Sequence, residues 1–175
     1  MSRFARKSQK RKEEEIFIRK NVQRNKDHLS IREVKALTEP QRQMIKSFVS
    51  GSNIIAVGSA GTGKSFCALY LALRDVLEYK NRDKIIIVRS NVPTRNSGFL
   101  PGSLEEKNEI YALPSKQIVN DLCQNGTAWE ILTRKQIIEF TTTSYVRGLT
   151  FDNAVILLEE CQNLDSPELI SVLTR

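Results

Sequence analysis

No apolar run in this sequence approaches the roughly 20 residues that a membrane-spanning helix needs. Its first residues are charged where a signal peptide would be apolar. Both absences predict a cytoplasmic protein with no membrane partner. Cysteine is scarce too: Cys67, Cys123 and Cys161 are odd in number and too far apart for a CxxC-type metal site. That excludes a zinc cluster and a disulfide framework, and the three read as reduced thiols. No internal repeat is visible. Most of the chain also lacks net charge: residues 36–175 hold 15 Lys/Arg against 15 Asp/Glu, whereas residues 1–35 hold 12 against 5 and carry the whole excess of +7. This is a basic arm on a neutral body rather than a basic domain. The arm reads either as a solvated extension that aids solubility or as a contact for the phosphates of RNA or single-stranded nucleic acid.

At 175 residues, 40% of them apolar, the chain has room for one core, since domains commonly run to roughly 100–150 residues. The expected division is an extension over 1–35 and one domain over 36–175. Thr38, Glu39 and Pro40 read as a helix start, and Met44, Ile45, Phe48 and Val49 give that helix an apolar face ending near Gly51. Ile54–Val57 and Ile85–Val88 are short β-branched runs suited to strands buried on both sides. Between them Phe66, Leu69, Leu73 and Leu77 keep helical spacing. Residues 90–104, with two prolines and two glycines, predict an irregular connection. A helical pattern follows from Leu104 to about Gln124, interrupted by Pro114, and another from Ala128 to Arg134. Ile137–Thr142 and Ala154–Leu158 read as further strands, and Pro167–Leu173 as a last helix. Strands alternating with helices predict an α/β fold, a parallel sheet with helices on both faces.

One string carries the chemistry. Gly58, Ser59, Ala60, Gly61, Thr62, Gly63, Lys64 and Ser65 fit G-x-x-x-x-G-K-[ST] at every position. Glycines let the backbone curl until its N–H groups converge on phosphate, and the helix that follows adds the positive end of its dipole. Lys64 is expected at the β- and γ-phosphates and the Ser65 hydroxyl on Mg²⁺. The string falls between an apolar strand and a long helix, the context this chemistry requires. ATP and Mg²⁺ are the cofactors it predicts.

A second site follows the run Val155 to Leu158. Glu159 and Glu160 stand at the carboxyl end of that strand, the edge where ligands bind in open α/β sheets. One carboxylate, Glu159, suits Mg²⁺ through water. The next, Glu160, suits the polarising of an attacking water, so that both acidic tasks of a phosphate-loop hydrolase are provided. A Glu-Glu pair alone is also the ordinary solvated start of a loop, and it is the company of Gly58–Ser65 that gives this one meaning.

Five segments, in order, resemble the PhoH family of ATPases: the loop Gly58 to Ser65, Val88 to Lys107 with its GFLPG and LEEK, Tyr145 to Phe151, Ile156 to Asn163, and Leu173 to Arg175. The resemblance covers about residues 37–175 and leaves the basic arm out. It implies a RecA-like fold similar to the motor domain of superfamily 1 helicases, with associations to RNA or DNA handling and the phosphate-starvation response. It further implies roles for single residues. Gln41, otherwise an ordinary residue of a helix's first turn, would read the adenine edge and favour ATP over GTP. Gln162 would couple the γ-phosphate to the rest of the domain. Arg147 and Arg175 resemble arginines near phosphate or nucleic acid, and each also suits a surface ion pair.

The family usually has Asp-Glu-Ala-Gln where Glu159, Glu160, Cys161 and Gln162 stand, so the carboxylate on the Mg²⁺ side is one methylene longer here. The resemblance also implies a strand after the acidic pair's helix, inserted between the phosphate-loop strand and the acidic strand. No apolar run of that kind follows Glu160. The expectation is therefore a slot within the sheet and a chain missing one or more C-terminal strands. Taken together, the sequence predicts a Mg-dependent ATP hydrolase, with Lys64, Glu160 and Gln162 as catalytic residues and association with further copies open. The alternative is a nucleotide-dependent binding module or a kinase-like phosphotransferase built on the same loop.

Overall fold

A computed structural model describes residues 29–90, 104–146 and 151–174 of the chain, without the side chains of residues 104–108 and 144. The first helix among the described residues, α1 (Glu39–Val49), starts where a capping box starts it. The Thr38 side chain accepts from the Gln41 N–H, the Gln41 side chain reaches back to the Thr38 N–H, and a proline sits in the first turn. None of its residues is fully buried. α2 (Lys64–Leu73) is the opposite kind of helix. Apolar nearly all round, it buries Cys67 and every residue from Leu69 to Leu73, as a helix without a polar face must.

After Leu73 the backbone widens into one π-turn, Arg74–Glu78. Asp75 lies buried in that turn and accepts hydrogen bonds from Asn81 Nδ2 at 2.9 Å and from Arg82 at 2.8 Å. A buried carboxylate without such donors would cost several kcal/mol, on the order of 3–5. The two donors come from the approach to β1 (Lys84–Arg89), so the pairing fixes where that strand begins.

α3 (Leu104–Leu122) follows, then α4 (Ala128–Arg134), β2 (Ile138–Thr142), a single turn α5 (Thr143–Val146), β3 (Ala154–Glu159) and, after a 3₁₀ turn at Cys161–Asn163, α6 (Ser166–Leu173). The three strands pair in parallel in the order β2-β1-β3, with Ile85 opposite both Ile138 and Val155. β1 is central, and Ile85 to Val88 are all buried, as a strand covered on both faces must be. Alternation sends its side chains two ways. Ile86 and Val88 join Val146 of α5 and Val172 of α6, with Ile156 and Leu158 alongside. On the other face Arg89 donates to the Tyr111 carbonyl of α3, and Glu159, opposite Arg89 in the register, meets α2. The α/β sheet with helices on both faces is thus the observed architecture.

Three expectations change. Ile54–Val57 is not a strand: residues 52–59 have no regular structure, and Ile55 and Val57 are 87% and 92% exposed. A strand exists only through hydrogen bonds to a neighbour, and among the described residues no strand pairs with this run. β3, at one end of the strand order, likewise pairs among the described residues only with β1. Second, α3 runs unbroken through Pro114. A proline inside a helix costs about 3 kcal/mol, and the buried Ala112, Val119 and Leu122 on the same helix offset it. Third, charge assigned residues 31–35 to the basic arm, but the compact unit is Ile31–Arg175. Arg32 donates from its N–H to the Leu122 carbonyl at 2.8 Å, pairs with Asp121, and lies 5.5 Å over the Phe66 ring. No helix among the described residues is long and apolar enough to cross a membrane.

Candidate functional site

Gly61 and Gly63 both take the left-handed conformation, at φ 77° and 79°, where a side chain would be strained. They turn the chain twice within three residues and deliver it into α2, with Gly63 as the N-terminal cap. The loop is braced from inside: Thr62 Oγ1 donates to the Ser59 carbonyl at 2.9 Å. Lys64 folds back along the same curl, and its ammonium donates to the carbonyls of Gly58 and Ser59, each at 2.8 Å. The lysine therefore already sits at the mouth of the curl, held by two neutral acceptors that an anion would outcompete.

Ser65, one residue on, is the point where loop and sheet meet. Its hydroxyl donates to Glu159 Oε2 at 2.8 Å across 94 residues of sequence, and both groups are half-buried. Glu160 faces elsewhere: Gln162 Nε2 donates to its Oε2. Glu160 is itself in the left-handed region, at φ 55°, a conformation that costs a non-glycine residue roughly 1–2 kcal/mol. That turn separates the two adjacent carboxylates, one toward the loop and one toward Gln162.

Gln41 stands beside the loop. Its Nε2 donates to the Thr62 carbonyl at 3.2 Å, and its Oε1 accepts from the Leu37 N–H at 2.8 Å. Gly58 to Ser65, Gln41, Glu159, Glu160 and Gln162 therefore form one neighbourhood linked by hydrogen bonds, except that the last two are joined to it through Glu159's strand rather than by a direct bond among the described residues. Arg147 and Arg175 lie outside the described residues, as does the GFLPG segment. Sequence reasoning missed two groups at the same sheet edge. The hydroxyls of Ser90, just after β1, and Thr142, at the end of β2, are buried without a hydrogen-bond partner among the described residues. The signal was there in the threonine run 141–143 closing a strand. No cluster of three or more His, Cys, Asp or Glu side chains suited to a metal occurs among the described residues. Any cation here would rely on the Ser65 and Glu159 oxygens and on what a ligand brings.

A glycine-rich curl at the head of a buried helix, tied to a carboxylate at the carboxyl end of a parallel strand, defines an α/β fold of the P-loop NTPase class. A family model described as PhoH-like protein matches residues 33–175. The chain is 33% identical over 143 residues to a PhoH-like protein of Bacillus subtilis (strain 168), covering 81% of this chain and 44% of that one. It is 34% identical over 143 residues to a PhoH-like protein of Synechocystis, covering 81% and 43%. Protein PhoH of Escherichia coli (strain K12) matches at 32% identity over 146 residues, covering 81% and 40%. The chain belongs to the PhoH-like family, and it spans less than half the length of these relatives.

Proposed function

We propose that the domain binds ATP together with Mg²⁺ and hydrolyses it. The observation that carries this is the 2.8 Å hydrogen bond from Ser65 to Glu159, which brings the phosphate loop and the acidic strand end into one site. The residues suit both groups. The Ser65 hydroxyl would ligate Mg²⁺ and the neighbouring Glu159 carboxylate would hold it through water. Bound there, the cation would neutralise developing phosphate charge. The loop's N–H groups and the head of α2 would hold phosphate. Lys64 would exchange its two carbonyls for phosphate oxygens, a stronger pairing because the acceptor is charged. Glu160, held by the Gln162 amide, would take the proton of the attacking water. Gln162 would thereby feel the state of the base. The basic residues ahead of Ile31 would contact RNA or single-stranded nucleic acid through its phosphates.

The test is a pair of variants. Lys64→Ala should abolish tight ATP binding while the fold persists. Glu160→Gln should keep ATP bound and stop phosphate release, because an amide cannot accept the proton. Full-strength binding by the first, or undiminished turnover by the second, would sink the assignment. Phosphate appearing on an added acceptor instead of in solution would favour a phosphotransferase.

A further inference from the structure

Gln41 does more here than an adenine reader would need to do. Both ends of its amide are engaged within the protein: Oε1 takes the Leu37 N–H at 2.8 Å and the Thr38 N–H at 3.3 Å, while Nε2 gives its hydrogen to the Thr62 carbonyl at 3.2 Å. Gly63 lies so close that a Cβ there would stand 3.3 Å from that same Nε2. The peptide between Thr62 and Gly63 is planar and trans, so its carbonyl and its N–H point in opposite directions. Holding the Thr62 oxygen on Gln41 therefore aims the Gly63 N–H away from α1. That N–H belongs to the N-terminal cap of α2, one of the unsatisfied donors that make a helix head receptive to anions. Gly63 is also at φ 79°, and a glycine, free to rotate through either sign of φ, gains most from an outside anchor.

From this geometry we infer that Gln41 is a positioning residue for the phosphate loop, setting the Thr62–Gly63 peptide so that its N–H meets phosphate whether or not a base is present. The capping box gives the anchor its rigidity. The Gln41 backbone N–H is held by Thr38 and its side chain by two backbone N–H groups, so the amide has little freedom of its own. This inference rests on the proposed triphosphate site and adds a reason for a glutamine at the third position of α1.

The test separates loop positioning from base reading by removing the base. Affinities for ATP, GTP and inorganic tripolyphosphate, each with Mg²⁺, are measured by calorimetry on the chain and on Gln41→Met. Methionine is close in length, uncharged, and cannot donate. The expected result is that Gln41→Met weakens tripolyphosphate by about 2- to 10-fold, the range for one lost hydrogen bond, with ATP weakened at least as much and the unfolding midpoint lowered no further than in Thr38→Ala, which breaks the same capping box. A variant that binds tripolyphosphate as the parent does, whether or not ATP falls, overturns the inference and leaves Gln41 as a reader of the base or a helix cap. Gln41→Glu provides the second reading: it keeps the acceptor for Leu37 and Thr38 and loses only the donor, so at high salt it should match Gln41→Met. Recovery of parental affinity there would also overturn the inference. If the parent chain takes neither ATP nor tripolyphosphate, and Lys64→Ala is indistinguishable from it, the triphosphate site itself has failed.

Discussion

The glycine-rich loop has two apolar flanks with very different surroundings. On its C-terminal side Leu69, Ala72 and Leu73 are wholly buried in α2, whereas on its N-terminal side Ile55 and Val57 stand almost fully exposed. Hydrophobicity does not separate them. A helix satisfies its own backbone and needs only a surface to lie on, while an extended run must borrow hydrogen bonds from a neighbour before it can be buried. The loop is thus fastened through α2, the Ser65–Glu159 contact and Gln41 of α1, while the run that leads into it stays exposed.

The sharpest way to break that comparison is a matched pair of truncations. Leu73→Ala should cost about 2–5 kcal/mol in urea unfolding, the range for a buried leucine. Ile55→Ala should stay within about 0.5 kcal/mol, as for exposed sites. An equal cost at Ile55 would mean that the run is paired in solution. Hydrogen exchange sharpens the same point without mutation: amides of α2 should exchange at rates set by global opening, and those of residues 54–57 with little protection. Protection at 54–57 would reveal a strand partner. A smaller effect is expected at α1, which guides the chain toward the exposed flank. Thr38→Ala should cost about 1 kcal/mol by removing its cap, and no loss would show that the capping box is idle.

The thiols give the mildest contrast. Burial pushes Cys123 up to about 11 and raises Cys67 as well, while Cys161 is exposed. Only the thiolate reacts, so at pH 8 an alkylating reagent should label Cys161 alone until the chain unfolds. The raised thiol also fixes the sign of a pH effect. The unfolded chain releases the Cys123 proton near its usual value of 9.0 and the folded chain holds it to about 11. Stability should therefore be indifferent to this group below pH 9 and fall as pH rises toward 11. Cys123→Ala should flatten that slope.

Much of this was legible in the residues. The loop's left-handed glycines, the capped start of α1, the limits of α4 and the carboxylates at a strand end all follow from local chemistry, and local chemistry is what a sequence displays. What escaped it depended on partners. Ile54–Val57 has the composition of a buried strand, but composition cannot say whether a neighbour is present. Pro114 looked like a break because its cost is local and the burial of Val119 and Leu122 that offsets it is not. Residues 31–35 looked like tail because their charge is visible and the reach of Arg32 to Asp121 is not. The anchoring of Thr62 by Gln41 joins residues 21 apart, and the buried hydroxyls of Ser90 and Thr142, unpaired among the described residues, are defined by what surrounds them.

The register of the sheet has a consequence for the order in which the molecule is assembled. β1 meets β2 at a separation of 53 residues and β3 at 70, so among the described residues no strand pair is a hairpin and both must wait for a long loop to close. The helices, built from contacts within a few residues, can form long before. The Ser65–Glu159 contact spans 94 residues and needs both α2 and a completed β1–β3 pair. A collapsed chain with all its helices would still lack it. This contact therefore marks the end of folding, and on the proposed function a titration with nucleotide would count finished molecules where a helical signal counts unfinished ones too.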